Sequence, residues 1–127
     1  MPSHPVRIEF TAVPHADVVE AAARRRMRGI EAAHPGVLEW SARIEGPRLA
    51  AGDKRFAAVV RARVSGDRGL SGDAHGHDAL AALRLAFNGL ELQLEADQAR
   101  ARVRAAAWLA AVRDRMRRGP GSWADRP

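Results

Sequence analysis

Two groups of residues in this chain have types and spacings that could support chemistry or binding. The first is His75-Gly76-His77-Asp78, which places two imidazoles and a carboxylate within one short stretch. The second is a set of arginines concentrated at residues 24–28 and 100–118. Imidazoles and carboxylates bind metal ions, whereas guanidinium groups bind phosphates. The two groups therefore indicate two different kinds of site.

A metal site at residues 75–78 is the weaker of these interpretations. Zinc needs three or four protein ligands, and the remaining histidines, His4, His15 and His34, have no ligand spacing relative to this pair. Asp78 stands just before a long segment of periodic apolar residues, where an aspartate caps a helix. We therefore predict that Asp78 is a helix cap, that the histidines are incidental, and that the protein binds no metal or other cofactor.

Catalysis by a nucleophile has little support in the sequence. The chain has no cysteine, which excludes thiolate nucleophiles, thiolate metal sites and disulfides. None of its serines lies in the glycine-flanked spacing of a nucleophile elbow, and no glycine-rich phosphate loop follows a strand pattern. We predict that the protein is not an enzyme.

The positive charge is confined to one segment of the chain. Residues 1–99 contain 13 basic and 13 acidic side chains, whereas residues 100–118 contain seven arginines and one acidic residue, Asp114. The formal net charge of +6 therefore lies on that segment. Its natural partner is a polyanion or an anionic membrane surface. If about seven of these arginines met phosphates, log K would fall with log salt at a slope near −6.

Hydrophobic periodicity predicts the strands. Apolar and polar residues alternate over residues 5–11, 38–45 and 55–64, which is typical of half-buried strands. In the second of these, the apolar face is predicted to comprise Leu38, Trp40, Ala42 and Ile44. Ser65-Gly66-Asp67 predicts a turn into a weaker, glycine-rich fourth strand near residues 69–75.

Apolar residues that recur every three or four positions predict two helices. The first begins at Asp17-Val-Val-Glu20, which has capping-box spacing, and ends at Pro35-Gly36. The second follows Asp78, with a buried stripe of Leu80, Leu83, Phe87, Leu90 and Leu94. A continuous second helix would reach residue 118 and be about 60 Å long. Alternatively, it would break between residues 95 and 104 and fold back.

The order strand, helix, three strands, helix predicts an α+β sandwich, in which both helices pack on one face of a four-stranded sheet. The first strand-helix-strand unit should be a right-handed parallel crossover. We expect this domain to occupy residues 1–100, a basic helical extension residues 101–118, and a disordered tail residues 119–127. The sequence has no signal-peptide or membrane-span pattern, so we expect a cytoplasmic protein.

Three stretches of the sequence resemble the short form of the ribosome hibernation promoting factor and ribosome-associated inhibitor family. In order, they are VRIEFTAVPHADVVEAAARRRMRGIE, GDKRFAAVVRARVSG and DAHGHDALAALRLAFNGLELQL. In the last stretch, the residues that match the family's strand-to-helix passage are Asp78, Leu80, Ala81, Ala82, Leu83, Leu90, Gln93 and Leu94. The resemblance implies an rRNA-binding protein that docks on the small ribosomal subunit and blocks translation in stationary or stressed cells.

The resemblance also implies that basic residues of both helices contact rRNA. Combined with the charge pattern, it gives seven expected RNA-binding residues: Arg24, Arg25, Arg26, Arg28, Arg100, Arg102 and Arg104. Arg26 falls where the family's first helix has a lysine, but Gly29 falls where it has another. Four positions of the second helix that are usually basic in the family are here Gly89, Leu92, Ala96 and Gln98. Either the RNA contact is shifted toward the extension, or ribosome binding is lost while the fold persists.

A second hypothesis is that the family fold serves as a self-associating module without ribosome binding. The extension carries four large apolar residues that lie beyond the domain: Trp108, Leu109, Val112 and Met116. They could pair with a second copy to form a homodimer, dock back on the domain, or lie at a membrane surface.

Overall fold

The computed structural model describes residues 5–47, 52 and 54–118. It has six elements in the predicted order: strand β1 (Val6–Thr11), helix α1 (Asp17–Ala33), strands β2 (Val37–Glu45), β3 (Phe56–Val64) and β4 (Arg68–Gly76), and helix α2 (Ala79–Arg118). The chain divides into two compact units, the first ending at Leu94 and the second beginning at Glu95. The predicted tail at residues 119–127 lies outside the described residues.

The four strands form one mixed sheet in the order β1-β2-β3-β4. β1 and β2 are parallel, as the crossover rule requires, while β2, β3 and β4 are successively antiparallel. In the turn between β3 and β4, Gly66 and Asp67 have φ angles of 86° and 57°. Glycine and aspartate are residue types that tolerate this left-handed region, which explains why Ser65-Gly66-Asp67 predicted the turn correctly.

The core of the first unit lies between one face of the sheet and the two helices. Trp40 of β2 is at its centre, 1% exposed, with its ring packed edge-on against Phe87 of α2 at a centroid distance of 6.2 Å. Its indole N–H donates a 2.6 Å hydrogen bond to Glu31 Oε1 of α1. The two helices and the sheet thus meet at one residue, and the predicted α+β sandwich is confirmed.

Glycines in β4 allow α2 to approach the sheet closely. A Cβ atom at Gly72 would lie 2.1 Å from the carbonyl oxygen of Ala86, and one at Gly76 would lie 2.6 Å from the amide nitrogen of Ala82. Real side chains do not occupy such distances, so both positions need glycine. The glycine content that made the fourth strand a weak prediction therefore has a packing cause.

Three local predictions were wrong. The pairing of β2 with β3 shifts between Val37 and Glu39, and this irregularity places Val37 in the core and leaves Leu38 half-buried. At the start of α1, Ala16 is the cap residue and no side chain caps the helix, so Asp17 and Glu20 do not form a capping box. Leu80, predicted to be buried, is 37% exposed because it borders the space between the helices.

The second helix is continuous. α2 runs from Ala79 to Arg118, so the break considered between residues 95 and 104 does not occur. Its N-terminus is capped as predicted, because Asp78 Oδ1 accepts a 2.7 Å hydrogen bond from the backbone N–H of Ala81.

Candidate nucleic-acid interface

The arginines of α1 differ in what their side chains contact. Arg24 forms an i,i+4 ion pair with Glu20 at 3.3 Å. Arg25 and Arg28 are exposed and have no hydrogen-bond or ion-pair partner among the described residues. The buried stripe of α1 consists of Val19, Ala23, Met27 and Ile30. Because successive residues of an α-helix are rotated around its axis, each arginine points in a different direction relative to this stripe. Two of the four cations are therefore available to a ligand.

Arg26 joins the two helices. Its Nε donates a 2.8 Å hydrogen bond to Glu91 Oε1 and its Nη2 donates a 2.8 Å hydrogen bond to Asn88 Oδ1. Nη2 also forms an ion pair with Glu91, and the guanidinium carbon lies 5.7 Å from the centroid of the Phe87 ring. The charged group of Arg26 is therefore already paired within the first unit.

Arg84 of α2 completes a set of three unpaired cations on the helix side. It is exposed and, like Arg25 and Arg28, has no partner among the described residues. We call these three the helix-face arginines. Reasoning from the sequence missed Arg84, because the resemblance directed attention to Gly89 and Leu92. Its place four residues after Leu80, beside the buried stripe, was the signal that could have found it.

Arg25 and Arg84 border a hollow between the two helices, which we call the helix groove. Its volume is about 330 Å³. α1 contributes Arg25, Arg26 and the small residues Ala22 and Gly29, and α2 contributes Arg84 together with the apolar residues Leu80, Leu83 and Phe87. The groove thus combines an apolar lining with cationic edges.

In the second unit, most of the arginines are unpaired. Arg100 lies 3.8 Å from Asp97, and Arg118 lies 2.9 Å from Asp114. The others have no partner within the described part of the chain, and all are exposed. We call them the extension arginines: Arg102, Arg104, Arg113, Arg115 and Arg117.

The same helical segment exposes large apolar side chains. Trp108 is 65% exposed, Leu109 45% and Met116 75%, while Val112 is half-buried. They recur at intervals of one, three and four residues, so they share one side of the helix.

The face of the sheet turned away from the helices is electrically balanced. Arg43 lies 3.6 Å from Glu9, and Arg63 lies 2.9 Å from Glu39. The strand residues of this face include four arginines and four acidic residues: Arg7, Arg43, Arg61, Arg63, Glu9, Glu39, Glu45 and Asp73. This face has no net positive charge with which to attract a polyanion.

The histidine cluster at residues 75–78 has a local role. β4 ends at Gly76, His77 Nε2 lies 3.3 Å from Asp78 Oδ2, and Asp78 caps α2. Among the described residues, one group has metal-ligand atoms close together, namely His15, Asp17 and Glu20, within 4.8 Å of one another. His15 was not predicted as a metal ligand, because it lies at a turn and has no ligand spacing in the sequence.

The His15 group is explained by its own ion pairs. His15 Nε2 lies 2.9 Å from Glu20 Oε2, and Arg24 occupies the other oxygen of that carboxylate. Hydrogen bonds from His15 and then Arg24 lower the pKa of Glu20 below its ordinary value. A cation bound here would lie near the guanidinium of Arg24, whose positive charge disfavours it.

Within the described residues, no helix combines the length and the apolar character needed to cross a lipid bilayer. The fold and the charges together define an α+β sandwich whose helix side presents unpaired arginines.

Several solved structures share this fold, and two of them illustrate the similarity. One is a ribosomal subunit interface protein from Coxiella burnetii, which aligns with a TM-score of 0.65 and 12% identity over 75% of this chain and 98% of that one. The other is the N-terminal domain of Thermus thermophilus Protein Y, with a TM-score of 0.59 and 15% identity over 69% of this chain and 91% of that one. No protein-family model and no curated protein matches the sequence. The similarity thus lies in the fold, as the resemblance predicted.

Proposed function

We propose that this protein is a non-enzymatic, divergent member of the hibernation factor family, which binds rRNA on the small ribosomal subunit in the cytoplasm. Binding would inhibit translation or protect idle ribosomes under stress. The proposal rests on one observation, namely that a particular fold and a particular placement of charge occur together in this chain. The chain shares its fold with a ribosomal subunit interface protein, and most of its unpaired arginines within the described residues lie on the two helices, the elements whose basic residues the family resemblance expects to contact rRNA.

The proposed contacts are made with RNA phosphates. Of the seven arginines expected from the sequence, Arg25, Arg28, Arg102 and Arg104 are unpaired, and Arg84 joins them. Arg24, Arg26 and Arg100 each have an acidic partner, so a phosphate would have to compete for them. Contacts of this kind fix position and orientation on RNA and do not read sequence.

Sedimentation of a stationary-phase lysate through a sucrose gradient at low salt tests the proposal. We expect the protein to sediment with the small subunit or with whole ribosomes, and to leave them as salt is raised, because phosphate contacts release counterions. Its absence from every ribosomal fraction at low salt would count against the proposal.

A matched pair of variants makes this test specific to the helix side. Arg25→Gln combined with Arg84→Gln removes two unpaired charges from the helices, and Arg7→Gln combined with Arg61→Gln removes two from the opposite sheet face. We expect only the first pair to reduce ribosome association. Equal losses would mean that net charge, and not the helix face, drives binding.

A second candidate function is self-association through α2, favoured by the exposure of Trp108 and Met116. Light scattering on the purified protein tests it, because a homodimer formed through this stripe should dissociate on Trp108→Ala. Val103→Ala is the control, since Val103 is 70% exposed and lies on a different side of the helix. A dimer that lost stability on Trp108→Ala, in a protein without RNA affinity, would favour this function over ribosome binding.

A further inference from the structure

The helix groove is open because two of its positions have little or no side chain. A Cβ atom built on Gly29 would meet nothing within 4 Å, and Ala22 is the other small residue of the α1 wall. On the α2 side, Leu80 lines the groove and remains 37% exposed. The protein therefore leaves an apolar surface uncovered at a place where one larger residue on α1 would cover it.

The groove has the size and chemistry of a site for a single flat group. Its volume of about 330 Å³ is at the lower end of the range for small-molecule sites, too small for a peptide helix. Arg25 and Arg84 at its edges have no partner among the described residues. Guanidinium groups pair with phosphates and also stack on the planes of nucleobases.

We propose that the helix groove binds one unpaired nucleotide, with the base against Leu80 and the phosphate held by Arg25 and Arg84. The inference rests on the proposed function and adds to it a preference for RNA that has a bulged or looped-out base. A base within a duplex is stacked and paired, and it could enter the groove only at the cost of unstacking. An already unpaired base avoids that cost.

Two RNA hairpins of the same sequence, one with a single extra unpaired adenosine in its stem, test this by fluorescence anisotropy. We expect the protein to bind the bulged hairpin at least about fivefold more tightly, because its extra base enters the groove without the cost of unstacking and unpairing. Gly29→Leu should abolish that preference and leave affinity for the paired hairpin unchanged, because it fills the groove without removing a charge. The control, Ala32→Leu, adds the same side chain at an exposed position outside the groove and should retain the preference.

Gly29→Leu should also fold, because leucine has a higher helix propensity than glycine. Ala22→Leu fills the groove independently if the first variant does not fold. Equal binding of both hairpins would overturn the inference and leave the proposed function standing. A preference that survives Gly29→Leu and Ala22→Leu would place the base elsewhere and overturn it too. Absence of binding to either hairpin and to small subunits would overturn both proposals.

Discussion

Adjacent arginines of α1 have different contacts, although the sequence presents them as one run. Arg26 bonds to Asn88 and Glu91 across the helix pair, whereas Arg25 is exposed without a partner among the described residues. In a run of arginines on one helix, the position of each residue around the helix axis therefore decides whether its side chain bonds within the protein or is accessible to a ligand.

Replacing Arg26 and Arg25 one at a time should distinguish the arginine that stabilises the fold from the arginine that binds RNA. Arg26→Ala should lower the free energy of unfolding by roughly 1–3 kcal/mol, because Glu91 is left half-buried without its charged hydrogen-bond donor. Arg25→Ala should change it by less than about 0.5 kcal/mol and should weaken RNA binding. Urea denaturation gives the first quantity and anisotropy titration the second; a stable Arg26→Ala protein would contradict this division.

The cap at Asp78 makes a second prediction about a single residue. Asp78→Ala should destabilise the protein by about 1 kcal/mol, because the backbone N–H of Ala81 loses its acceptor, while Asp78→Asn should preserve most of the stability. Thermal or urea unfolding measures both. Asp73→Ala, an exposed aspartate on the sheet, is the control. If Asp78→Asn were as unstable as Asp78→Ala, the loss would not be due to capping.

The ion pairs of Glu20 predict a pH dependence. Hydrogen bonds from His15 and Arg24 lower the pKa of Glu20, so the folded state favours the charged carboxylate. The stabilisation is present above the ordinary glutamate pKa and is lost as the pH falls through the lowered, folded-state value. The stability difference between the wild type and Glu20→Gln should therefore vanish in acid. A difference that persisted below the folded-state pKa measured by NMR would contradict this.

Among the elements, α2 approaches β4 closely at Gly72. Gly72→Val should destabilise the protein by more than about 3 kcal/mol, because the side chain would meet the backbone of α2 at Ala86. Gly69→Val, in the same strand, meets nothing within 4 Å and should be neutral or stabilising by up to about 1 kcal/mol. Similar urea midpoints for the two variants would show that α2 does not pack directly on β4.

Periodicity predicted the elements well and their local irregularities poorly. Alternation located β1 and β3 and the three-to-four spacing located α1, because each buries one face against the core. The shift near Val37 was not predictable, since Val37 and Leu38 are both apolar and pairing with β3 decides which one enters the core. The capping-box spacing at Asp17 was misleading, because Ala16 is the cap residue and the Glu20 carboxylate pairs with His15 and Arg24 instead.

The candidate interface was less predictable than the fold. The sequence indicated which segments are basic, but acidic partners from distant parts of the chain decide which arginines remain unpaired. Glu91 pairs with Arg26 across 65 positions of sequence, and Arg84 is close to Arg25 only because the helices pack side by side. The spacing of residues along the sequence reveals neither the Arg26–Glu91 pair nor the proximity of Arg84 to Arg25.

At the scale of the whole molecule, charge and fold point to the same kind of partner. Residues 1–99 balance their charges and residues 100–118 supply the net +6, so a polyanion would be attracted mainly by the second segment. The helix-face arginines offer further contacts within the first unit, while the sheet face is balanced. We therefore expect binding that depends strongly on salt and on the helices.

Equilibrium binding to purified small ribosomal subunits over a series of salt concentrations tests directly whether the arginines of the helices bind rRNA phosphates. We predict a complex at low salt, with log K falling linearly with log salt, and a slope less steep by about one for each phosphate-contacting arginine replaced by glutamine. Glutamine at Arg102 and Arg104 should reduce the slope, and glutamine at Arg7 and Arg61 should not. Failure to form any complex with the small subunit in dilute buffer would contradict the account.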